Sequence, residues 1–218
     1  MKDKINASVI TVALIEWLNK KYDEKTITTE MSVNTSVGTK VADVVVSNGH
    51  TIAYEIKSEL DTTQRLPSQI KGFSEIFEYV YIVYWKNKFS LENLNLAETT
   101  GAIEVFIKND KLNFKIIKKA KINRFMNQLS VAKLLWKSEL EYFFNKKNII
   151  IKKSFDKQTL VNLFIQNFNK QEAVKIFRFI VRKRFEKGYL IYQSLQQSVD
   201  ALQSFVKYKT DKDYLLKL

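Results

Sequence analysis

The chain has 218 residues, of which 45% are hydrophobic and 13% aromatic, which excludes a disordered protein and supplies a core for a large domain. It contains no cysteine, which excludes disulfides and thiolate metal sites. Residues 1–85 carry 9 Lys+Arg against 11 Asp+Glu, whereas residues 86–218 carry 27 against 12, and this basic half predicts a polyanionic partner.

The first half of the chain predicts alternating helices and strands. Residues 5–21 repeat apolar positions at helical spacing, and Pro67 suits the first turn of a second helix that continues to about Glu78. Segments rich in β-branched or apolar residues predict four strands, at 27–34, 41–48, 51–58 and 79–85. The resulting order is α-β-β-β-α-β, with a right-handed crossover between the third and fourth strands.

The second half predicts a β-hairpin followed by helices. The hairpin pairs residues 101–109 with 112–120 around Asp110-Lys111. The helical segments cover 126–144, 158–168, 172–185 and 188–206. No glycine-rich linker separates the two halves, so we expect a core over residues 1–121 and a basic helical extension over residues 122–218 packed on it.

Two carboxylates lie in otherwise apolar strands. Side chains alternate along a strand, so Glu55 and Lys57 share one face of the third strand. Asp43 stands among valines in the second strand, where an ionised carboxylate loses hydration unless another group compensates it. A divalent cation shared by Asp43 and Glu55 would compensate both.

The turn between these strands decides whether the two carboxylates meet. A two-residue turn at Asn48-Gly49 would place Asp43 on the face away from Glu55. A three-residue loop at Ser47-Asn48-Gly49 would place Asp43 diagonal to Glu55, about 7 to 8 Å away. The shared-cation hypothesis requires the three-residue loop.

These residues resemble the PD-(D/E)XK nuclease superfamily: Asp43 is followed twelve residues later by Glu55-Ile56-Lys57 within the α-β-β-β-α-β order. Gln69-Ile70-Lys71-Gly72-Phe73 resembles the Q-x-x-x-Y element of its RecB-like members, with Phe in place of Tyr. The run from Glu55 to Gln69 is similar to an uncharacterised bacterial branch with E-I-K-S-x-x-D-T-x-x-R-L-x-x-Q, and LLWKSEL at 134–140 extends that likeness. That branch has an arginine where this chain has Val41.

The resemblance implies a restriction-endonuclease-like fold with a mixed sheet, and a metal-dependent nuclease that acts on DNA. It implies Mg²⁺ or Mn²⁺ as cofactor, held by oxygen ligands. The implied catalytic residues are Asp43, Glu55, Lys57 and Gln69. The implied metal ligands are Asp43, Glu55, the backbone carbonyl of Ile56 and a third acid, either Glu30 in the first strand or Glu16 on the first helix. Lys57 would assist the attacking water.

Basic residues outside that centre predict phosphate contacts. Arg65 precedes the second helix, and Lys175, Arg178 and Arg182 share one face of a later helix. An ordinary solvated face is the alternative for these residues. His50, the only histidine, has no second histidine or cysteine nearby in sequence for a zinc site and is predicted to be exposed and inert.

Nucleic acid is the expected partner, with DNA favoured over RNA, and a homodimer or larger assembly is compatible with it. No apolar run approaches the ~20 residues of a membrane span, so we expect a soluble, cytoplasmic protein. The alternative function is a catalytically silent nucleic-acid-binding or interaction module on the same fold.

Overall fold

The computed structural model describes residues 4–207 and 214–217, with the backbone alone at 216 and 217. The strands are β1 (Thr26–Thr35), β2 (Gly38–Ser47), β3 (Thr51–Lys57), β4 (Tyr79–Trp85), β5 (Gly101–Lys108) and β6 (Lys111–Lys118). The helices are α1 (Ala7–Lys21), α2 (Leu66–Ser74), α3 (Leu91–Leu94), α4 (Gln128–Leu134), α5 (Lys137–Lys146), α6 (Lys157–Asn167), α7 (Lys170–Ser194) and α8 (Gln203–Lys207), with 3₁₀ turns at Asp200–Leu202 and Tyr214–Lys217.

The six strands form one mixed sheet in chain order, from β1 at one edge to β6 at the other. The β1-β2, β2-β3 and β5-β6 pairs are antiparallel, whereas β3-β4 and β4-β5 are parallel. The prediction of a mixed α/β protein is therefore confirmed, and the elements up to β4 follow the predicted α-β-β-β-α-β order.

Helices cover both faces of the sheet. On one face, Leu14 of α1 belongs to the same hydrophobic cluster as Tyr54 and Ile56 of β3. On the other face, α2 and the helices α4 to α7 share a second cluster with strand residues such as Ala53. Since β3 side chains alternate, the α2 side of the sheet also receives Glu55 and Lys57.

Helix α7 is one continuous helix of 25 residues, where the sequence predicted two. Gly188 lies inside it and is buried, at a propensity cost of about 1 kcal/mol relative to alanine. The two halves of α7 pack in different clusters: Phe177 lies on the α2 side of the sheet and Tyr192 on the α1 side. Helix α7 also contacts the edge strand β1, and a helix over a sheet edge protects that edge from pairing with another chain.

The predicted helix over 126–144 is divided into α4 and α5 at Leu135 and Trp136, whose backbones are extended. The Glu139 carboxylate accepts the Trp136 N–H at 2.7 Å and so starts a new helix.

The hairpin turn also differs from the prediction by one residue. It is centred on Asn109 and Asp110, with φ of 51° and 55°. A type I′ turn needs positive φ at both central positions, and Asn and Asp adopt this conformation more readily than lysine does.

A buried ion pair fixes α7 to α5. Arg184 Nε donates to Glu139 Oε1 at 3.0 Å, a second guanidinium nitrogen bonds the other carboxylate oxygen, and the side chains are 8% and 0% exposed. The Tyr214 hydroxyl donates to Glu139 at 2.8 Å, and Trp136 lies 4.2 Å from the guanidinium carbon. The side chains of Tyr214 and Trp136 thus add a hydrogen bond and a ring contact to one buried charge pair.

Removal of this pair should destabilise the protein far more than removal of an exposed one. Arg184→Ala leaves the Glu139 carboxylate buried without a cation, and we expect it to lower the free energy of unfolding by about 3–5 kcal/mol. Arg182→Ala on the same helix breaks a solvated pair with Glu24 and should cost about 0–1 kcal/mol. Urea denaturation of both variants provides the measurement, and equal losses would contradict the assignment.

Candidate functional site

The loop between β2 and β3 brings Asp43 and Glu55 to the same face of the sheet. Ser47 pairs with Thr51, so the loop has three residues, Asn48 to His50, rather than starting at Ser47 as expected. Gly49 takes a positive φ of 94° in this loop. The paired register ends at Val44 opposite Tyr54, and Asp43 and Glu55 are the next residues of the two strands, on the same face of the sheet.

The Asp43 side chain takes the place of a backbone carbonyl as hydrogen-bond acceptor at the point where β2 and β3 stop pairing. Its Oδ2 accepts the N–H of Ile56 at 2.6 Å. A valine or alanine here would leave that buried N–H without an acceptor. The carboxylate therefore has a structural role independent of any ligand.

A hydrogen-bonded network joins Lys57, Glu55 and Gln69. We call these three residues and Asp43 the polar centre. Lys57 Nζ donates to Glu55 Oε1 at 2.8 Å and to Gln69 Oε1 at 3.0 Å, while Gln69 Nε2 donates to Glu55 Oε1 at 2.5 Å. Glu55 and Lys57 are 3% and 5% exposed. Pro67 in the first turn of α2 gives the helix start that brings Gln69 to this place.

Burial raises the pKa of Asp43 to about 7, with the Glu55 charge as the next cause, although the Ile56 N–H and Lys57 oppose the shift. Burial also raises the pKa of Glu55, against the lowering effect of Lys57 and Gln69. Glu55 Oε2 is buried and has no hydrogen-bond partner among the described residues. One lysine thus compensates two facing carboxyls incompletely, and near neutral pH Asp43 binds a proton in part of the population.

The two candidates for a third acid differ in their position relative to the polar centre: Glu30 lies in β1 between Thr29 and Met31, which pair with Val44 and Ala42 on either side of Asp43. Glu16 lies on α1, on the opposite side of the sheet from Glu55, where it lines a groove with Trp17 and Phe114. Glu30 is exposed and takes a positive φ of 49°. Across residues 4–207 and 214–217, no group of three or more His, Cys, Asp or Glu side chains is arranged to hold a metal ion. The Mg²⁺ site, with the Ile56 carbonyl as ligand, stays a prediction.

The residues predicted to contact phosphate differ in their exposure and in their ion-pair partners. Arg65 is exposed at the start of α2, and Lys175 is exposed on α7. Arg182 is 45% exposed and lies 3.4 Å from Glu24. Arg178 is only 32% exposed, and its Nε donates to Glu78 Oε2 at 2.8 Å. This guanidinium already has a buried carboxylate as its partner, and a phosphate contact of Arg178 stays a prediction.

Sequence patterns did not reveal the cluster around Glu78. His50 Nδ1 lies 2.9 Å from Glu78 Oε1, and the Thr51 N–H donates to Glu78 Oε2 at 3.0 Å. Burial acts to raise the pKa of Glu78, but the bonds from Arg178 and His50 hold it below its ordinary value. His50 is half-buried and partnered, not exposed and inert. The available signal was Glu78 itself, a single acid between two apolar runs.

Comparison with known proteins assigns the family. The model of the family described as bacteriophage P4 protein cII matches residues 1–202. The chain belongs to this family. Protein cII of Enterobacteria phage P4 is 34% identical over 151 residues, which cover 68% of this chain and 56% of that relative. The chain thus spans little more than half of the relative's length. No solved structure matches.

Membership of the P4 protein cII family corrects the sequence interpretation. The assignment to the PD-(D/E)XK superfamily is wrong, and so is the prediction of a Mg-dependent nuclease that depended on it. The restriction-endonuclease-like fold is not confirmed beyond its mixed sheet and helices. The short motif misled because its residues also have structural partners inside the fold: Asp43 accepts the Ile56 N–H, and Lys57 and Gln69 both bond Glu55.

The raised pKa of Asp43 predicts a pH-dependent stability. A carboxyl whose pKa is raised in the folded state binds more protons there than in the unfolded state, so its contribution is lost as pH rises from about 4 through about 7. Asp43→Asn keeps an acceptor for the Ile56 N–H but does not titrate. We expect urea denaturation to show a smaller loss of stability between pH 5 and pH 7.5 in the variant than in the wild type. The same loss in both proteins would contradict the proposed titration.

Proposed function

We propose that this chain is a nucleic-acid-binding module without catalytic turnover, with DNA as the favoured partner. The observation that carries the proposal is a basic groove of about 260 Å³ between α7 and the residues that precede α4. Lys170 and Lys175 line it, and within the described part of the chain neither forms a salt bridge. We call Arg124, Lys170 and Lys175 the α7 basic surface.

The charge balance of the groove supports an anionic ligand. Glu78 is the acid among the groove's lining residues, and Arg178 neutralises it. The exposed Lys175 and Lys170 then leave a positive excess that would attract phosphates at a distance and release counterions on contact. Lys170 Nζ also donates to the Arg124 carbonyl at 2.5 Å, so the exposed Arg124 is held next to it.

An exposed aromatic side chain lies beside these charges. Phe125 is 77% exposed and follows Arg124 directly. Aromatic side chains next to cations are the combination on which unpaired bases stack while their phosphates are neutralised. Phe125 and the α7 basic surface together therefore offer contacts to both the apolar and the charged part of a nucleic acid.

The state of the polar centre supports the proposed absence of turnover. The Lys57 ammonium is shared between Glu55 and Gln69 and is almost fully buried. A general acid or a transition-state partner must instead reach the substrate within hydrogen-bond distance. In this arrangement the same side chains stabilise the β2-β3-α2 junction, and the binding contacts lie elsewhere.

The salt dependence of DNA binding tests this proposal. We expect binding of a labelled duplex, followed by fluorescence anisotropy, to weaken as salt rises, and Lys170→Ala/Lys175→Ala to reduce the slope of log K against log salt by about 2. Lys115→Ala/Lys119→Ala, which removes the same charge from the exposed residues 115 and 119, is the matched control and should change the slope less.

Three results would contradict the proposal. Binding with no salt dependence would remove its electrostatic basis. An equal effect of both double variants would remove the groove as the location. Cleavage of plasmid DNA in Mg²⁺ or Mn²⁺ that Glu55→Gln abolishes would contradict the absence of turnover.

A further inference from the structure

The loop between α5 and α6 presents an isoleucine almost entirely to solvent. Ile150 is 98% exposed, more than any other large hydrophobic side chain in the part of the chain that is described, with Phe125 next at 77%. Exposure of an aliphatic side chain on this scale has an unfavourable hydration cost. A single exposed hydrophobic residue is common on protein surfaces, so the case for a partner depends on how the loop is held and on the charges next to it.

The loop is held in place on both sides of Ile150. The Ile149 N–H donates to the Phe144 carbonyl at 2.9 Å, and the Phe155 N–H donates to the Lys152 carbonyl at 3.1 Å. Ile149, Ile151 and Phe155 all pack against the hydrophobic cluster of α4 to α7. Since both neighbours of Ile150 are anchored in the core, its outward position is fixed before any partner arrives, which reduces the entropy lost on binding.

Lysines flank the exposed side chain on both sides. Lys146 and Lys147 precede it and Lys152 and Lys153 follow it, and all four are exposed. Lys147 pairs with Glu172 at 2.8 Å, which joins the loop to the first turn of α7. The nearest acid that follows in the sequence, Asp156, accepts the Thr159 N–H and caps α6. In the sequence around Ile150, exposed lysines therefore outnumber acids.

We propose that Ile150 is a wedge that inserts between base steps of duplex DNA from the minor groove and bends the duplex. Apolar side chains inserted in this way unstack a base step, and the bent duplex compensates that cost because more of its phosphates reach the protein surface. Here Lys152 and Lys153 would bind phosphates next to the wedge, and the α7 basic surface would bind others. This inference rests on the proposed nucleic-acid binding and adds to it a duplex ligand and a deformation.

An anionic membrane surface is the competing partner for an isoleucine among lysines. One isoleucine buries much less apolar surface than a myristoyl chain, and a single such chain gives only marginal membrane binding. None of the helices in the described ranges is long and apolar enough to cross a membrane. A duplex fits better because phosphates on both sides of one base step match lysines on both sides of one apolar side chain.

The test uses Ile150→Ser, because a side chain that is 98% exposed in the free protein contributes little to folding. A ~30-base-pair duplex with a fluorophore at each end reports bending by energy transfer. We expect the full-length wild-type chain to bring the ends closer. The variant should bind the duplex on the order of tenfold more weakly and return the transfer efficiency to that of free DNA. Leu190→Ser, at a 57% exposed position of α7, is the matched control and should bend DNA like the wild type.

The outcomes separate the wedge from the proposed function. An Ile150→Ser protein that binds and bends the duplex like the wild type overturns the wedge and leaves nucleic-acid binding intact. Binding restricted to single strands, or Ile150-dependent binding to phosphatidylserine vesicles without duplex binding, also overturns it. A wild type that binds no nucleic acid overturns both proposals.

Discussion

Two buried glutamates fix the position of α7, and the arrangement of the basic half of the chain depends on them. Glu78, at the start of β4, holds Arg178, and Glu139, in the first turn of α5, holds Arg184. Each carboxylate is nearly inaccessible, so each requires a cation with good geometry. Because these arginines point inward, the exposed lysines of α7 are directed away from the core. The basic residues of α7 thus fall into two groups. Arg178 and Arg184 pair with buried carboxylates, whereas the exposed lysines are available to a ligand.

In the polar centre, too, a buried carboxylate is paired with a cation, which here is a lysine rather than an arginine. Lys57 compensates Glu55, Gln69 bonds both, and Asp43 accepts the Ile56 N–H. Such a network is required wherever carboxylates are enclosed between a sheet and a helix, whether or not a substrate is ever bound. The exposed side chains of the α7 basic surface and of Ile150, unlike these buried acids, are accessible to a ligand.

Local patterns in the sequence were sufficient for most of the fold and for part of the site. Alternation along β3 and a three-residue loop correctly placed Asp43 on the face of Glu55, since both depend on neighbouring residues. Helix α7 was divided wrongly at Gly188, because tertiary packing of Tyr189 and Tyr192 overrides a local helix breaker. The partners of Arg178 and His50 are far away in sequence, so no periodicity could show them. The family assignment failed because a short motif does not distinguish a catalytic centre from a compensated one.

The central claim is that nucleic acid contacts the α7 basic surface and the Ile150 loop, and that the polar centre is structural. Hydrogen–deuterium exchange of the full chain with and without a DNA duplex tests it most directly, because it reports both regions in one experiment. We expect slower exchange on DNA binding in residues 122–126, 146–153 and 170–178, with unchanged exchange in residues 55–69. Protection confined to residues 55–69 would contradict it, because that result would place the ligand at Glu55, Lys57 and Gln69.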